Sequence, residues 1–174
     1  MKFQFLFFLI SGIVFGQIQT DRSVAETAEL IQLETISNQD ITGHIYKGDG
    51  LGGNRIELNP NGSLIETTSD CMSMAETDNG FWSIRNQNLL ILNFKKNEFT
   101  FNIFQYGDFN FYVTIDENSA FLNDFAENQK LLKNFKPVSV NGKIFSKEDA
   151  IAHQLQKKYF GRELEIDKIS ISKN

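Results

Sequence analysis

The feature that most constrains this chain is an alternation of apolar and polar side chains on both sides of one turn. Phe99, Phe101 and Ile103 alternate with polar residues before a turn at residues 105–108. The alternation resumes after the turn, where the apolar positions are Phe109, Phe111, Val113 and Ile115. Because successive side chains of a strand point to opposite faces, the pattern predicts an antiparallel hairpin. We expect pairing to merge the two apolar sets into one surface.

An apolar sheet surface of this kind has to be covered, and closure of the sheet into a barrel covers it. The chain before the hairpin, from Ile41 onward, reads as further short strands, with Gly- and Asn-rich turns about every ten residues. Predicted strands include residues 55–59, 81–84 and 89–94. Between the first two, Pro-Asn-Gly at 60–62 combines a residue that fixes φ with one that accepts positive φ. The sequence therefore predicts an antiparallel β-barrel.

After Asp116 the apolar spacing changes to a helical period. The side chains that fit a helical stripe are Phe121, Leu122, Phe125, Leu132 and Phe135. Further along, Asn141-Gly142 lies between two short apolar runs, at 138–140 and 143–145, which is a strong signal for a tight hairpin. We therefore expect a helix followed by a small hairpin.

The last part of the chain predicts one more helix and one more strand. Residues 146–149, Ser-Lys-Glu-Asp, resemble a capping box with Asp in place of Glu or Gln. The helix that begins there carries Ile151, Leu155 and Tyr159 at a spacing of four, and Gly161 is its expected end. A final strand is predicted from Glu163 to Ile171.

These patterns together predict a mainly β fold of the α+β class. It is an antiparallel barrel over residues 41–174, with one or two accessory helices in the C-terminal third. Residues 17–40 are more polar, and we expect either a flexible lead-in or a short amphipathic helix around Glu26–Ile36. No repeat or second domain is evident.

Residues 1–16 have the organisation of a Sec-type signal peptide. Lys2 precedes an apolar run from Phe3 to Phe15, which is shorter than the roughly 20 residues that a transmembrane helix needs. Val14 and Gly16 satisfy the small-residue rule for cleavage before Gln17. The sequence therefore predicts a secreted or periplasmic protein with no stable membrane span after cleavage.

The charge balance and the single cysteine narrow the partners and the chemistry. The chain has 17 basic and 22 acidic side chains, a net charge of −5, which disfavours nucleic acid and anionic membranes as partners. Cys71 is the only cysteine, so it cannot form an intrachain disulfide. The domain has to be stabilised by its apolar core alone.

Three features of residues 43–92 occur together: a first strand opened by Gly43 within GHIYKGDGLGGN, a later Gly80-Phe81-Trp82 strand, and LLIL at 89–92. With these features the segment resembles small secreted bacterial lipocalin-like domains. The resemblance implies that residues 41–174 form an antiparallel, lipocalin-like barrel whose interior can hold a small apolar ligand. In true lipocalins the G-x-W sequence more typically marks the first strand, and the region after Asp116 has no counterpart that we can align.

Several short motifs lack the context that their chemistry needs. Residues 48–53 match G-x-G-x-x-G, but a strand follows where a dinucleotide site needs a helix. Asp49, Asn54 and Asp70 do not form a recognised calcium loop. The two histidines, His44 and His153, fit no zinc motif, although a Cys71–His44 nucleophilic pair is conceivable. We predict neither a cofactor nor an enzyme.

Two sets of residues remain as candidate sites. Cys71, Met72 and Met74 are soft ligands suited to Cu(I), although core packing explains them as well. The aromatic residues that could line a ligand cavity, or simply pack the core, are Tyr46, Trp82, Phe99, Phe101, Phe109 and Phe111. Three functions stay open: an exported, non-catalytic protein that binds a small apolar ligand, a cell-envelope protein-interaction module with a solid core, and a copper binder.

Overall fold

The structure is a computed structural model that describes residues 30–48, 52–70, 75–140 and 142–164. The predicted signal peptide, the predicted copper ligands at 71–74 and most of the predicted last strand lie outside these ranges. Predictions about those segments therefore stay predictions.

Most of the described chain is an antiparallel meander in which each strand pairs with the next. Short turns at residues 59–62, 86–88 and 107–108 connect three of these pairs, as the Gly- and Asn-rich sequences predict. The strands are β2 (Gly43–Gly48), β3 (Gly53–Leu58), β4 (Ser63–Ser69), β5 (Glu76–Arg85), β6 (Leu89–Phe94), β7 (Glu98–Tyr106) and β8 (Phe109–Thr114), preceded by a short β1 (Ile31–Gln32).

The barrel is closed by a strand that comes much later in the chain. β11 (Phe160–Arg162) pairs with β2 on one side and with β8 on the other, which completes an eight-stranded antiparallel barrel. Between β8 and β11 lie a 3-10 turn (Ile115–Glu117), α2 (Asn118–Leu131), a hairpin of β9 (Val138–Val140) and β10 (Lys143–Phe145), and α3 (Lys147–Gln156). The prediction of a mainly β barrel with accessory helices is confirmed.

The position of the closing strand differs from the prediction. Gly161 does not end a helix but lies at the centre of β11, and Glu163 and Leu164 are already outside the strand. A Cβ at Gly161 would lie 3.3 Å from the side chains of Phe111 and Gln156. The glycine is therefore there because the strand and α3 approach closely at this point.

The hairpin register overturns the prediction that the two apolar sets of β7 and β8 merge. The turn is Gly107-Asp108, and the register places Phe101 opposite Thr114 and Phe104 opposite Phe111. Across a loop with an even number of residues, odd-numbered residues of one strand pair with even-numbered residues of the other. Because paired residues share a face, the odd-numbered apolar residues of β7 and of β8 lie on opposite faces. Phe101 therefore points into the barrel, whereas Phe111 points outward.

Both faces of β7 and β8 are buried because the helices cover the outer face. The outer core includes Phe104, Phe111, Phe121, Phe125, Ile151, Leu155 and Tyr159. The inner core, inside the barrel, includes Ile45, Ile56, Leu58, Leu64, Trp82, Leu90, Leu92, Phe101, Ile103 and Tyr112. The protein thus has two apolar layers separated by one sheet.

The lead-in to the barrel covers one of its ends. Residues 30–36 contain β1, which pairs with β7, and no helix; residues 26–29 of the alternative predicted as a helix lie outside the described ranges. A short helix, α1 (Asn38–Ile41), follows. Ile36 and Ile41 are buried in the inner core. The side-chain amide of Asn110 donates a hydrogen bond to the carbonyl oxygen of Asp40 at 3.1 Å. We call this end, next to the turns at 86–88 and 107–108, the closed end.

The start of α3 is a capping box, as its sequence predicts. The Oγ of Ser146 accepts a hydrogen bond from the amide of Asp149 at 3.1 Å, and the Asp149 carboxylate accepts one from the amide of Ser146 at 2.7 Å. We expect Ser146→Ala to lower the free energy of unfolding by about 1 kcal/mol. Chemical denaturation measures this, with Ser139→Ala at an exposed position of β9 as the control. Equal stability of the two variants would contradict the assignment.

Candidate ligand-binding site at the open end of the barrel

The two ends of the barrel interior differ in their access to water. Toward the closed end, the inward-facing side chains of Leu58, Leu64 and Leu90 are fully buried. At the opposite end, Lys47, Asn54, Glu66, Phe94 and Phe160 are only partly buried, and Asp78 and Phe99 are exposed. In a closed barrel, inward-facing side chains reach water through an open end. We therefore call this the open end.

The register establishes which polar side chains of the open end face inward. Glu66 lies directly opposite Ile56, an inner-core residue with 2% of its surface exposed. Asp78 lies directly opposite Glu66 on the next strand. Asn54 and Lys47 are each two residues from an inward-facing residue of the same strand, Ile56 and Ile45 respectively.

One side of the open end is aromatic. The centroids of the Phe94 and Phe99 rings are 6.0 Å apart in an edge-to-face arrangement, and those of Phe99 and Phe101 are 6.5 Å apart. Phe101 and Phe160 also meet edge to face, at 5.9 Å. Phe99 keeps 42% of its surface exposed. These four phenylalanines are the aromatic wall. Phe101 is buried, and the exposed parts of the other three rings are apolar surface that a ligand can cover.

The other side of the open end is acidic. The side-chain amide of Asn54 donates a hydrogen bond to a carboxylate oxygen of Glu66 at 3.2 Å. Burial and the neighbouring Asp78 carboxylate raise the pKa of Glu66, and the Asn54 hydrogen bond offsets part of this rise. Within the described ranges, no lysine, arginine or histidine pairs with either carboxylate. Asn54, Glu66 and Asp78 are the acidic wall.

A lysine lies beside these two walls. The Nζ of Lys47 is 5.4 Å from the centroid of the Phe160 ring, above its face. An ammonium group is attracted to the negative face of an aromatic ring at this distance. Lys47 therefore shows that the aromatic wall can accommodate a positively charged nitrogen.

Only some of the predicted lining residues face the barrel interior. Trp82 and Phe101 belong to the inner core, and Phe99 lies at the rim of the open end. Phe109 and Phe111 lie in the outer core against the helices, which corrects their predicted place. Tyr46 follows the inward-facing Ile45 and so points outward.

Sequence reasoning missed Phe94 and Phe160 of the aromatic wall and both carboxylates of the acidic wall. Phe94 could have been found by counting in steps of two from Leu90, and Glu66 by the same count from Leu64. Asp78 and Phe160 need the pairing partners of β5 and β11, which no local pattern supplies.

The chemistry predicted around histidine and cysteine gains no support from the described residues. His44 lies on the outer face, with its Nε2 3.5 Å from a carboxylate oxygen of Glu57. In the ranges that the structure covers, no group of three or more His, Cys, Asp or Glu side chains could hold a metal ion. Copper binding by Cys71, Met72 and Met74 stays a prediction, since these residues lie outside those ranges.

A second concave surface lies on β4–β6 around an exposed ring. Phe81 keeps 71% of its surface exposed. It borders a groove of about 480 Å³ that is also lined by Ser63, Ile65, Asn79, Asn93 and Lys95. The groove is separate from the aromatic wall except that both include Phe94.

Comparison with known proteins found no matching family model, no matching curated protein and no matching solved structure. The closed eight-stranded antiparallel barrel is compatible with a lipocalin-like fold. It differs from a plain meander because β11, which completes the barrel, follows two helices. None of the helices in the described ranges has both the length and the apolar character needed to cross a bilayer.

Proposed function

We propose that this protein binds a small ligand with an apolar body at the open end of its barrel. The observation that carries the proposal is the aromatic wall, in which Phe94, Phe99 and Phe160 face the barrel interior and keep part of their surface accessible to water. An eight-stranded barrel is wide enough to hold one small ligand. Removing the exposed parts of these rings from water would favour binding.

We also propose that the protein is exported and acts by binding and not by catalysis. The predicted signal peptide at residues 1–16 supports export. In the resemblance to secreted lipocalin-like domains, the barrel interior is the part that holds a ligand. We assign the ligand to the open end because Ile36 and Ile41 are buried in the inner core at the other end.

A protein-interaction module is the second candidate function. The observation that favours it is Phe81, an exposed aromatic side chain beside a groove on the outer face of β4–β6. Exposed aromatic residues are enriched at protein interfaces. Substitutions in the aromatic wall and at Phe81 therefore distinguish the two candidate functions.

The test is the binding of a neutral apolar compound, decan-1-ol, measured by calorimetry. We expect saturable binding with one site, and we expect Phe99→Ala to weaken it about tenfold because ring area that the ligand covers is lost. Phe81→Ala is the matched control, since it removes an exposed ring from the outer face. Absence of binding, or an equal loss in both variants, would overturn the proposed site.

A further inference from the structure

The open end of the barrel combines features that select the charge of a ligand. Resting on the proposed function, we infer that it receives an organic cation: a ligand with an apolar body and an ammonium group. The apolar body covers the aromatic wall, and the ammonium group lies between that wall and the carboxylates of Glu66 and Asp78. Three independent observations support this assignment.

The first observation is a pair of like charges that face the same space. Glu66 and Asp78 are directly opposite each other on adjacent antiparallel strands. Like charges in this position destabilise a sheet. Glu66 is also partly buried, which disfavours its charged form and raises its pKa. A cation bound between the two carboxylates would offset both costs.

The second observation is the neutral partner of Glu66. The side-chain amide of Asn54 donates one hydrogen bond to Glu66 and carries no charge. It orients the carboxylate without neutralising it. Lys47 faces the same interior, but its ammonium group lies over the ring of Phe160. Among the ion pairs of the described residues, none joins Lys47 to Glu66. Among the residues that the structure describes, no basic side chain therefore offsets the negative charges of Glu66 and Asp78.

The third observation is the ammonium group of Lys47 over Phe160. It is a positively charged nitrogen already held by one ring of the aromatic wall. The rings of Phe94 and Phe99 have the same chemistry and lie further along this wall. A ligand ammonium group can use them as Lys47 uses Phe160, and the carboxylates opposite add charge-assisted hydrogen bonds.

An anionic ligand such as a fatty acid fits this end less well. Its carboxylate would be a third negative charge beside Glu66 and Asp78, which are directly opposite each other. Repulsion from these two carboxylates therefore favours a cation over an anion between them. Binding of a lipid-like anion is one outcome that the test below can detect.

The test compares three compounds with the same chain and different head groups: decylammonium, decan-1-ol and decanoate. Each is titrated into the full protein by calorimetry at pH 7, with the two ions below their micelle concentrations and decan-1-ol below its solubility limit. We expect decylammonium to bind at least about tenfold more tightly than decan-1-ol, from hydrogen bonds and charge attraction to two carboxylates. Decanoate is expected to bind more weakly than decan-1-ol.

Variants of the acidic wall assign the preference to its residues. Glu66→Gln and Asp78→Asn should each reduce the affinity for decylammonium several-fold and leave that for decan-1-ol unchanged. Glu127→Gln, on the exposed side of α2, is the charge-matched control and should change neither. Since Glu66 pays an electrostatic cost in the fold, its glutamine variant should unfold at the same temperature as the parent protein or a higher one.

The outcomes separate this inference from the proposed function. If decan-1-ol and decylammonium bind equally, the cation inference fails and the apolar site stands. Tighter binding of decanoate that is lost in Lys47→Gln would assign the site to an anion instead. If none of the three compounds binds, the proposed function itself fails.

Discussion

Replacing Phe121 by alanine is expected to lower the free energy of unfolding by about 3–5 kcal/mol, the usual range for removing a fully buried aromatic ring. Phe121 lies on α2 and has no exposed surface. Its ring centroid lies 5.0 Å from that of Phe104, 5.4 Å from that of Phe111 and 5.1 Å from that of Tyr159. Alanine would leave a cavity where β7, β8 and the segment after α3 all meet.

The next residue of the same helix supplies the control. Leu122 keeps 39% of its surface exposed, so Leu122→Ala removes a side chain of comparable apolar character at much lower cost. Urea denaturation followed by circular dichroism gives both free energies. A loss below about 1 kcal/mol for Phe121→Ala would mean that the helices are not part of the folded unit, because a filled core site costs more to empty.

The Phe121→Ala variant also tests whether the outer core and the proposed site are independent of each other. It belongs to the layer between sheet and helices, and the aromatic wall belongs to the barrel interior. The folded fraction of Phe121→Ala should therefore bind decan-1-ol with nearly the affinity of the parent protein. This result is expected because the outer core and the proposed site lie on different faces of the same sheet.

The meander and the helices could be predicted because their signals are local. The turn at residues 60–62 and the strand at 89–94 depend on neighbouring residues in the sequence, and so does the capping box at Ser146. Each of these is decided within a few residues, by φ preferences, period-two alternation or side-chain hydrogen bonds. The predicted fold class follows from them.

The closing strand could not be predicted because its cause is distant in sequence. β11 has three residues and pairs with β2 and β8. Gly161 looks like a helix end in the sequence, and only the close approach of Phe111 and Gln156 explains it. The acidic wall could not be predicted for the same reason, because only the register of β4 and β5 brings Glu66 and Asp78 together.

The hairpin of β7 and β8 shows how a correct element can still give a wrong surface. The alternation of Phe99, Phe101 and Ile103 predicts the strand, and the structure has it. Which side chains of the partner strand share this face depends on whether the loop has an odd or an even number of residues, and the loop Gly107-Asp108 has two. Phe111 and Phe109, two of the six predicted lining residues, therefore lie in the outer core.

Gly80 is expected to be the next most sensitive position, because it lies where the sheet and the open end meet. It faces inward on β5, opposite Leu64 on β4 and Phe94 on β6. A Cβ at this position would overlap the backbone carbonyl oxygen of Asn93 and would lie 3.4 Å from a methyl group of Leu64. A backbone oxygen cannot move aside alone, so β6 would have to shift.

We therefore expect Gly80→Ala to lower the free energy of unfolding by about 1–3 kcal/mol, the usual cost of overpacking a filled site. It should also weaken decan-1-ol binding, because the shift displaces Phe94 from the aromatic wall. Asn79→Ala, at the neighbouring exposed position, is the control and should stay within about 0.5 kcal/mol of the parent protein. Faster hydrogen exchange of the β6 amides in Gly80→Ala alone would locate the change. If both variants are equally stable and bind the alcohol equally well, the close approach of β5 and β6 at Gly80 does not shape the ligand site.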